Sequence, residues 1–161
     1  VAYINVSESN SFVTVHLSTT TIASTATTGN IVVPGLQNIT VSNSNGIFRW
    51  RQLDTGSEFA IALAATNQLS MSIVLDPTTF FGDSVATAGT AANKGILKLS
   101  NDKTLTYFRM YWNATSPGTG SRYISGSAYI TGLAPTVSPD TPVWTSPFTL
   151  DVVGDFTVAT V

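Results

Sequence analysis

Cysteine is absent from this 161-residue sequence, histidine occurs once, and only 10% of the residues are charged. An ordinary soluble domain carries about 25% charged residues. Without cysteine there is no disulfide and no thiolate zinc site. With His16 as the single histidine, a multi-histidine metal site within one chain is excluded, and a catalytic triad would have to use that residue. Seven basic and nine acidic residues leave a net charge of −2, which offers no cationic footprint for nucleic-acid phosphates or an anionic membrane. No apolar run approaches the roughly 18 residues of a membrane-spanning helix. A surface so poor in charge is either coated with hydroxyls and small side chains or hidden against other subunits. Both readings suit an exported structural protein better than an enzyme. The chain starts at Val1 without a signal-peptide pattern, and a leader already removed is the expectation.

What the sequence does have is apolar mass in a strand rhythm. Hydrophobic residues make up 43% and include eight Phe, five Tyr and three Trp, enough for the core of one domain. Apolar and polar residues alternate with the period of two that marks strands. Over residues 12–17, Val13, Val15 and Leu17 share a face, and the Ser, Thr and Ala tract of 18–28 reads as a linker. Ile31, Val32 and Val33 end at Pro34-Gly35. Residues 38–42 and 47–52 flank Asn45-Gly46, the favoured pair for a tight hairpin turn, and a hairpin is expected there. Phe59, Ile61 and Leu63 alternate with alanines, and Leu69, Met71, Ile73 and Leu75 with Ser70, Ser72 and Val74, so a second hairpin is expected around Asn67-Gln68.

Residues 76–94 read as a loop with a short helix near 83–88, and 96–100 and 104–112 as strands joined at Asn101-Asp102. A strand is expected at 123–130 and a loop through Pro135, Pro139, Pro142 and Pro147. Two strands, 148–153 and 156–161, are expected on either side of Gly154-Asp155. About ten short strands with frequent turns and no long helix predict an all-β fold, an antiparallel β-sandwich or jelly-roll. The expected organisation is an N-terminal segment and linker over residues 1–28 and a β-sandwich domain over 29–161.

Few residues suggest chemistry. His16 lies opposite the most apolar face of its strand, beside Thr14, and is expected to face solvent rather than to act in catalysis. Asp54 and Glu58, and Asp151 and Asp155, are as close in sequence as a general acid and base can be, but each pair straddles a turn or strand end, where acids are solvated. Asp76, Asp83, Asp102 and Asp140 bring oxygen ligands to loops without the spacing of a calcium loop. Neither a metal nor a cofactor is expected. Trp50, Tyr111, Trp112, Tyr123, Tyr129 and Trp144 would suffice for a sugar-stacking platform, yet on alternating strands half of such residues face the core. Core or subunit interface is their expected place. Arg49, Arg51 and Arg109 lie opposite Phe48, Trp50 and Phe108, as on a polar outer face or in inter-subunit salt bridges. N-x-S/T sequons make Asn5, Asn38 and Asn113 candidate glycosylation sites.

At the amino terminus, Val1-Ala2-Tyr3-Ile4-Asn5-Val6 is an apolar alternation tethered by the Ser/Thr tract. Such a segment can complete a neighbour's sheet by strand addition, and head-to-tail contacts that do not close propagate into a filament. The alternative is that residues 1–17 are the first strands of their own domain. The run Ala2-Tyr3-Ile4-Asn5-Val6-Ser7-Glu8-Ser9-Asn10-Ser11-Phe12 resembles the start of mature TasA/camelysin-type proteins, including archaeal bundling pilus subunits. That resemblance implies a jelly-roll subunit of an extracellular fibre, polymerised by donor-strand complementation and bundling in biofilms. The donor strand would comprise Ala2, Tyr3, Ile4, Asn5, Val6 and Phe12, continued by Val13, Val15 and Leu17, with nothing catalytic.

The expectation is therefore a structural subunit of a pilus-like cell-surface filament. Its partners would be identical subunits and neighbouring filaments, with neither nucleic acid nor a membrane span involved. Two alternatives fit the same composition: a viral capsid, decoration or tail-tube protein, and a carbohydrate-binding module with Trp50, Trp112 or Trp144 exposed and coplanar.

Overall fold

Alternation of apolar and polar residues continues through segment after segment, and in the computed structural model it builds one large sheet. The structure describes residues 13–22, 28–112 and 122–161. The described strands are Thr14–Ser18 (β1), Ile31–Val32 (β2), Leu36–Ser44 (β3), Ile47–Arg51 (β4), Glu58–Ala62 (β5), Thr66–Val74 (β6), Thr106–Tyr111 (β7), Arg122–Thr131 (β8), Thr136–Ser138 (β9) and Thr141–Thr160 (β10). Two helices, Pro77–Phe81 (α1) and Ala91–Asn101 (α2), connect β6 to β7. Eight strands form one sheet in the order β2-β1-β7-β8-β10-β6-β3, with β9 on β10, while β4 and β5 form a separate ribbon. Every pairing is antiparallel. The all-β, antiparallel expectation holds, in the form of a single sheet curled into an open half-barrel.

The period of two decides which side chains fill the curl. On β6, Leu69, Met71 and Ile73 point inward opposite Leu150, Phe148 and Ser146 of β10. On the other flank Val15 and Leu17 of β1 sit opposite Met110 and Phe108 of β7, all four of them buried. Helices α1 and α2 add Phe80, Ala91, Ile96 and Leu99 to the same cluster. Fully burying a side chain of this size stabilises the fold by about 1.5–3 kcal/mol.

Several local expectations are corrected. The segment 96–100, expected as a strand, belongs to α2: Thr90 caps its start through Asn93 N, and Ile96 and Leu99, three residues apart, reach the core together. An alternation of only five residues fits both periods. The expected loop over 76–94 contains α1, which Asp76 caps with Pro77 at its first turn, whereas 83–88 is turn rather than helix.

Asn45-Gly46 does not turn the chain back, because β3 pairs with β6 and β4 with β5. The reversal comes at Leu53-Asp54-Thr55-Gly56, closed by Gln52 N to Ser57 O at 3.0 Å and Gly56 N to Gln52 O at 2.8 Å. Asn67 and Gln68 lie within β6. The expected break at Gly154-Asp155 is a bulge inside the 20-residue β10, where buried Asn67 donates to Gly154 O at 2.7 Å. Pro142 and Pro147 lie in β10 rather than in a loop; Pro147 stands opposite Ser72 of β6, and on the other edge of β10 it falls in the gap between the stretches paired with β9 and β8, where a missing N–H is tolerated.

One contact fixes how the helices meet. Gly82, after α1, has φ 104° and ψ 150°, and Gly95, inside α2, has φ 77° and ψ 162°. A Cβ on Gly82 would lie 2.2 Å from Asn93 O, and one on Gly95 would lie 2.4 Å from Gly82 N. Only glycine supplies both that backbone and that approach.

Candidate assembly surface

The β4–β5 ribbon stands off the sheet as an arm. All ten of its strand residues are exposed, although they alternate as strands that bury one face do. Phe48 and Trp50 sit opposite Ile61 and Phe59 on one side, and Arg49 and Arg51 opposite Ala60 and Glu58 on the other. On the apolar side Trp50 stacks on Phe48 at 5.9 Å and on Phe59 at 5.5 Å between ring centroids. On the polar side Arg49 and Glu58 form an ion pair at 3.3 Å, of small net worth at such exposure. Leu53, at the tip, is 99% exposed. An isolated two-stranded ribbon is marginal in water, and an exposed apolar face of this extent marks an interaction surface. Leu63 N to Gly46 O at 2.8 Å carries the pairing across the joint between arm and sheet.

Sequence reasoning gave the correct faces for Arg49, Arg51, Phe48 and Trp50, and it missed that they form an arm. The available signal was the pair of alternating runs, 47–52 and 59–63, flanking the polar segment Asp54-Thr55-Gly56-Ser57.

The expectation for His16 is corrected. It lies on the outer face of β1, opposite Arg109 of β7, yet is only 6% exposed. The Arg109 guanidinium explains this cover: it donates to Tyr111 Oη at 3.2 Å and to Ile22 O at 2.6 Å, which brings the backbone at Ile22 onto that face. Arg109 also lies 4.1 Å from the Tyr123 ring centroid, and His16 meets Tyr111 edge-on at 5.4 Å. Burial lowers the His16 pKa below 6.5, and Arg109 lowers it further. The fold thus prefers neutral His16. Its contribution is complete above 6.5 and is lost as pH falls through the lowered value. Thermal melting is expected to weaken from about pH 7 to about pH 5, with a shallower loss in His16→Gln. Equal slopes for the two proteins would assign the loss to other groups.

Several of the remaining candidates have structural employment. Asp151 accepts from Gln68 Nε2 and Thr131 Oγ1, both at 2.7 Å, on an outer sheet face otherwise made of Asn38, Thr40, Ser70, Ser72, Thr149 and similar residues. Asp76 caps α1, Asp83 accepts from Val85 N, and Asp102 pairs with Lys98 at 3.0 Å. Lys98 holds the Asp102 carboxyl below its ordinary value. Among the described residues no three His, Asp or Glu side chains are grouped for a metal, and no helix is long and apolar enough to cross a membrane. Tyr111 is buried, Trp112 packs against the core, and Trp50, Tyr129 and Trp144 are exposed. Asn38 is exposed on β3, while Asn5 and Asn113 lie outside the described residues. So do Ala2, Tyr3, Ile4, Asn5, Val6 and Phe12. Val15 and Leu17 are buried in β1, paired with β7 of the same chain, and Val13 packs against the core.

No family model matches this sequence, and no curated protein matches it. Its fold, however, recurs in solved structures. A chain in the tail of an empty GTA particle, computed with helical refinement and C6 symmetry, matches with a TM-score of 0.56 at 10% identity, covering 81% of this chain and 87% of that one. A chain in the virion of a native gene transfer agent (GTA) particle matches with a TM-score of 0.55 at 12% identity, covering 81% of this chain and 89% of that one.

These likenesses overturn the TasA/camelysin reading. It rested on residues 2–12, which lie outside the described residues, whereas the likeness to the GTA chains covers 81% of this chain. The expected pilus subunit, with donor-strand polymerisation and bundling in biofilms, is corrected accordingly.

Proposed function

We propose that this chain is a non-enzymatic structural subunit of a phage-tail-like particle, assembling with copies of itself into stacked rings. The observation that carries the reading is the exposed amphipathic arm on a subunit whose fold recurs in a GTA tail. A ribbon with an apolar face and no core behind it gains from being covered, and identical copies are the partners that such a tail contains. The low charge fits the same picture, since subunit contacts hide surface that a monomer would have to keep solvated. The symmetry of that tail makes six copies per ring the expected stoichiometry, and a released particle gives the subunit an extracellular destination. Electron microscopy of the purified chain over a concentration series tests this. Rings or tubes with a central channel are expected, and monomers at every concentration would overturn the reading.

A further inference from the structure

The arm leaves the sheet at one end of the β3–β6 pair, and an apolar socket lies at the other. The socket, a cavity of about 410 Å³, is lined by Leu75, Pro77, Phe80, Phe81, Leu97 and Trp144 among others. It forms where β6 hands over to α1: Leu75 N donates to Trp144 O at 2.9 Å, and α1 packs on α2 through the Gly82–Gly95 contact. Phe81 is 67% and Trp144 52% exposed, so the socket presents unsatisfied aromatic surface, as the arm does. Nine residues of β6 separate the two, about 30 Å of extended chain. An arm therefore cannot reach the socket of its own chain.

We propose that the arm of one copy seats in the Phe81–Trp144 socket of a second copy stacked on it, with Leu53 leading. This rests on the assembly reading above and names its axial contact. Complementarity supports a copy of this chain as the occupant. The arm balances Arg49 and Arg51 with Glu58 and the tip residue Asp54, and the socket is apolar but for Asp76, so the match is one of apolar surface on both sides. Knob and socket at opposite ends of the same strand make a heterologous contact, which propagates along an axis rather than closing on itself. Area is consistent with stacking of whole rings. With each of its three aromatics worth about 150–250 Å² and about half of that exposed, the arm's stack offers on the order of 300 Å², short of the roughly 800 Å² per partner in a stable binary interface. One such contact does not hold a dimer, whereas a ring of them acts together.

A larger groove at the open seam is lined by Val13, Ile39 and Trp112 among others. Its rim carries the ends of two segments outside the described residues.

The lack of cysteine makes crosslinking a clean test. Chains carrying both Leu53→Cys and Phe81→Cys, or both Phe48→Cys and Trp144→Cys, are oxidised under assembly conditions. A disulfide needs Cα atoms within about 7 Å, so a bond between arm and socket joins two copies. A ladder extending beyond the dimer is expected for the paired variants, and nothing beyond a dimer for Leu53→Cys alone or for Leu53→Cys with Val158→Cys. Rings or tubes by microscopy without a ladder from either pair would overturn the socket and leave the assembly reading standing. No particles from the unmodified chain at any concentration would overturn both.

Discussion

Removing residues 47–64 is expected to yield a folded monomer that no longer assembles. Ser44 and Thr66 are directly opposite each other in the β3–β6 ladder, so the deletion leaves Asn45-Gly46-Ala65 as a three-residue hairpin loop of favourable composition. None of the buried core residues is in the arm, and thermal melting should stay within a few degrees of the parent, the shift of about 1 kcal/mol or less. Rings should vanish in negative stain, and sedimentation should report monomer where the parent assembles. The gentler triple variant Phe48→Ser, Trp50→Ser and Phe59→Ser should behave alike, because it removes the aromatic stack without shortening the chain. A deletion variant that still formed rings would show that assembly does not use the arm.

Gly95→Ala is expected to be strongly destabilising. At φ 77° and ψ 162° an alanine costs about 1–3 kcal/mol in backbone strain alone. Its methyl would also stand 2.4 Å from Gly82 N and 2.6 Å from Phe81 C, atoms of backbone that must move for it to fit. Gly89→Ala is the matched control: φ is 84°, and nothing lies within 4 Å of the added atom. Urea unfolding of both should place Gly95→Ala well below Gly89→Ala, the gap being the cost of parting α1 from α2. Similar losses would mean that strain alone matters at both. Because Phe81 and Leu97 flank the same contact, any Gly95→Ala protein that folds should also assemble poorly.

Strand identity was legible wherever alternation ran long enough and stayed in the large sheet, as in β1, β7 and β8. It failed where one rule outweighed the context. Asn45-Gly46 has ideal hairpin composition, but both flanking strands continue outward because their partners, β5 and β6, arrive later in the chain. Residues 96–100 carry apolar residues compatible with either period, and the choice was made by the Thr90 cap and by packing against the curl, neither of which a five-residue pattern reveals. The faces of the arm were readable from parity, but its protrusion was not, because an alternating strand looks the same whether its apolar side meets a core or water. His16 was misplaced for a related reason: parity put it correctly on the outer face and could not show that Arg109 draws the backbone at Ile22 across it.

The length of β10 bears on the order in which the molecule is made. This strand pairs with β6, β8 and β9 and is the last described strand along the chain, so the two flanks of the sheet cannot join until residues 141–160 have left the ribosome. The β3–β6 hairpin, with the arm at its far end, is local and can form early, whereas pairings distant in sequence form slowly. A nascent chain therefore displays its sticky tip while β6 still has an open edge. The same delay keeps the receiving end unfinished, since Trp144 belongs to the late strand, and synthesis itself would then hold half-made subunits back from stacking.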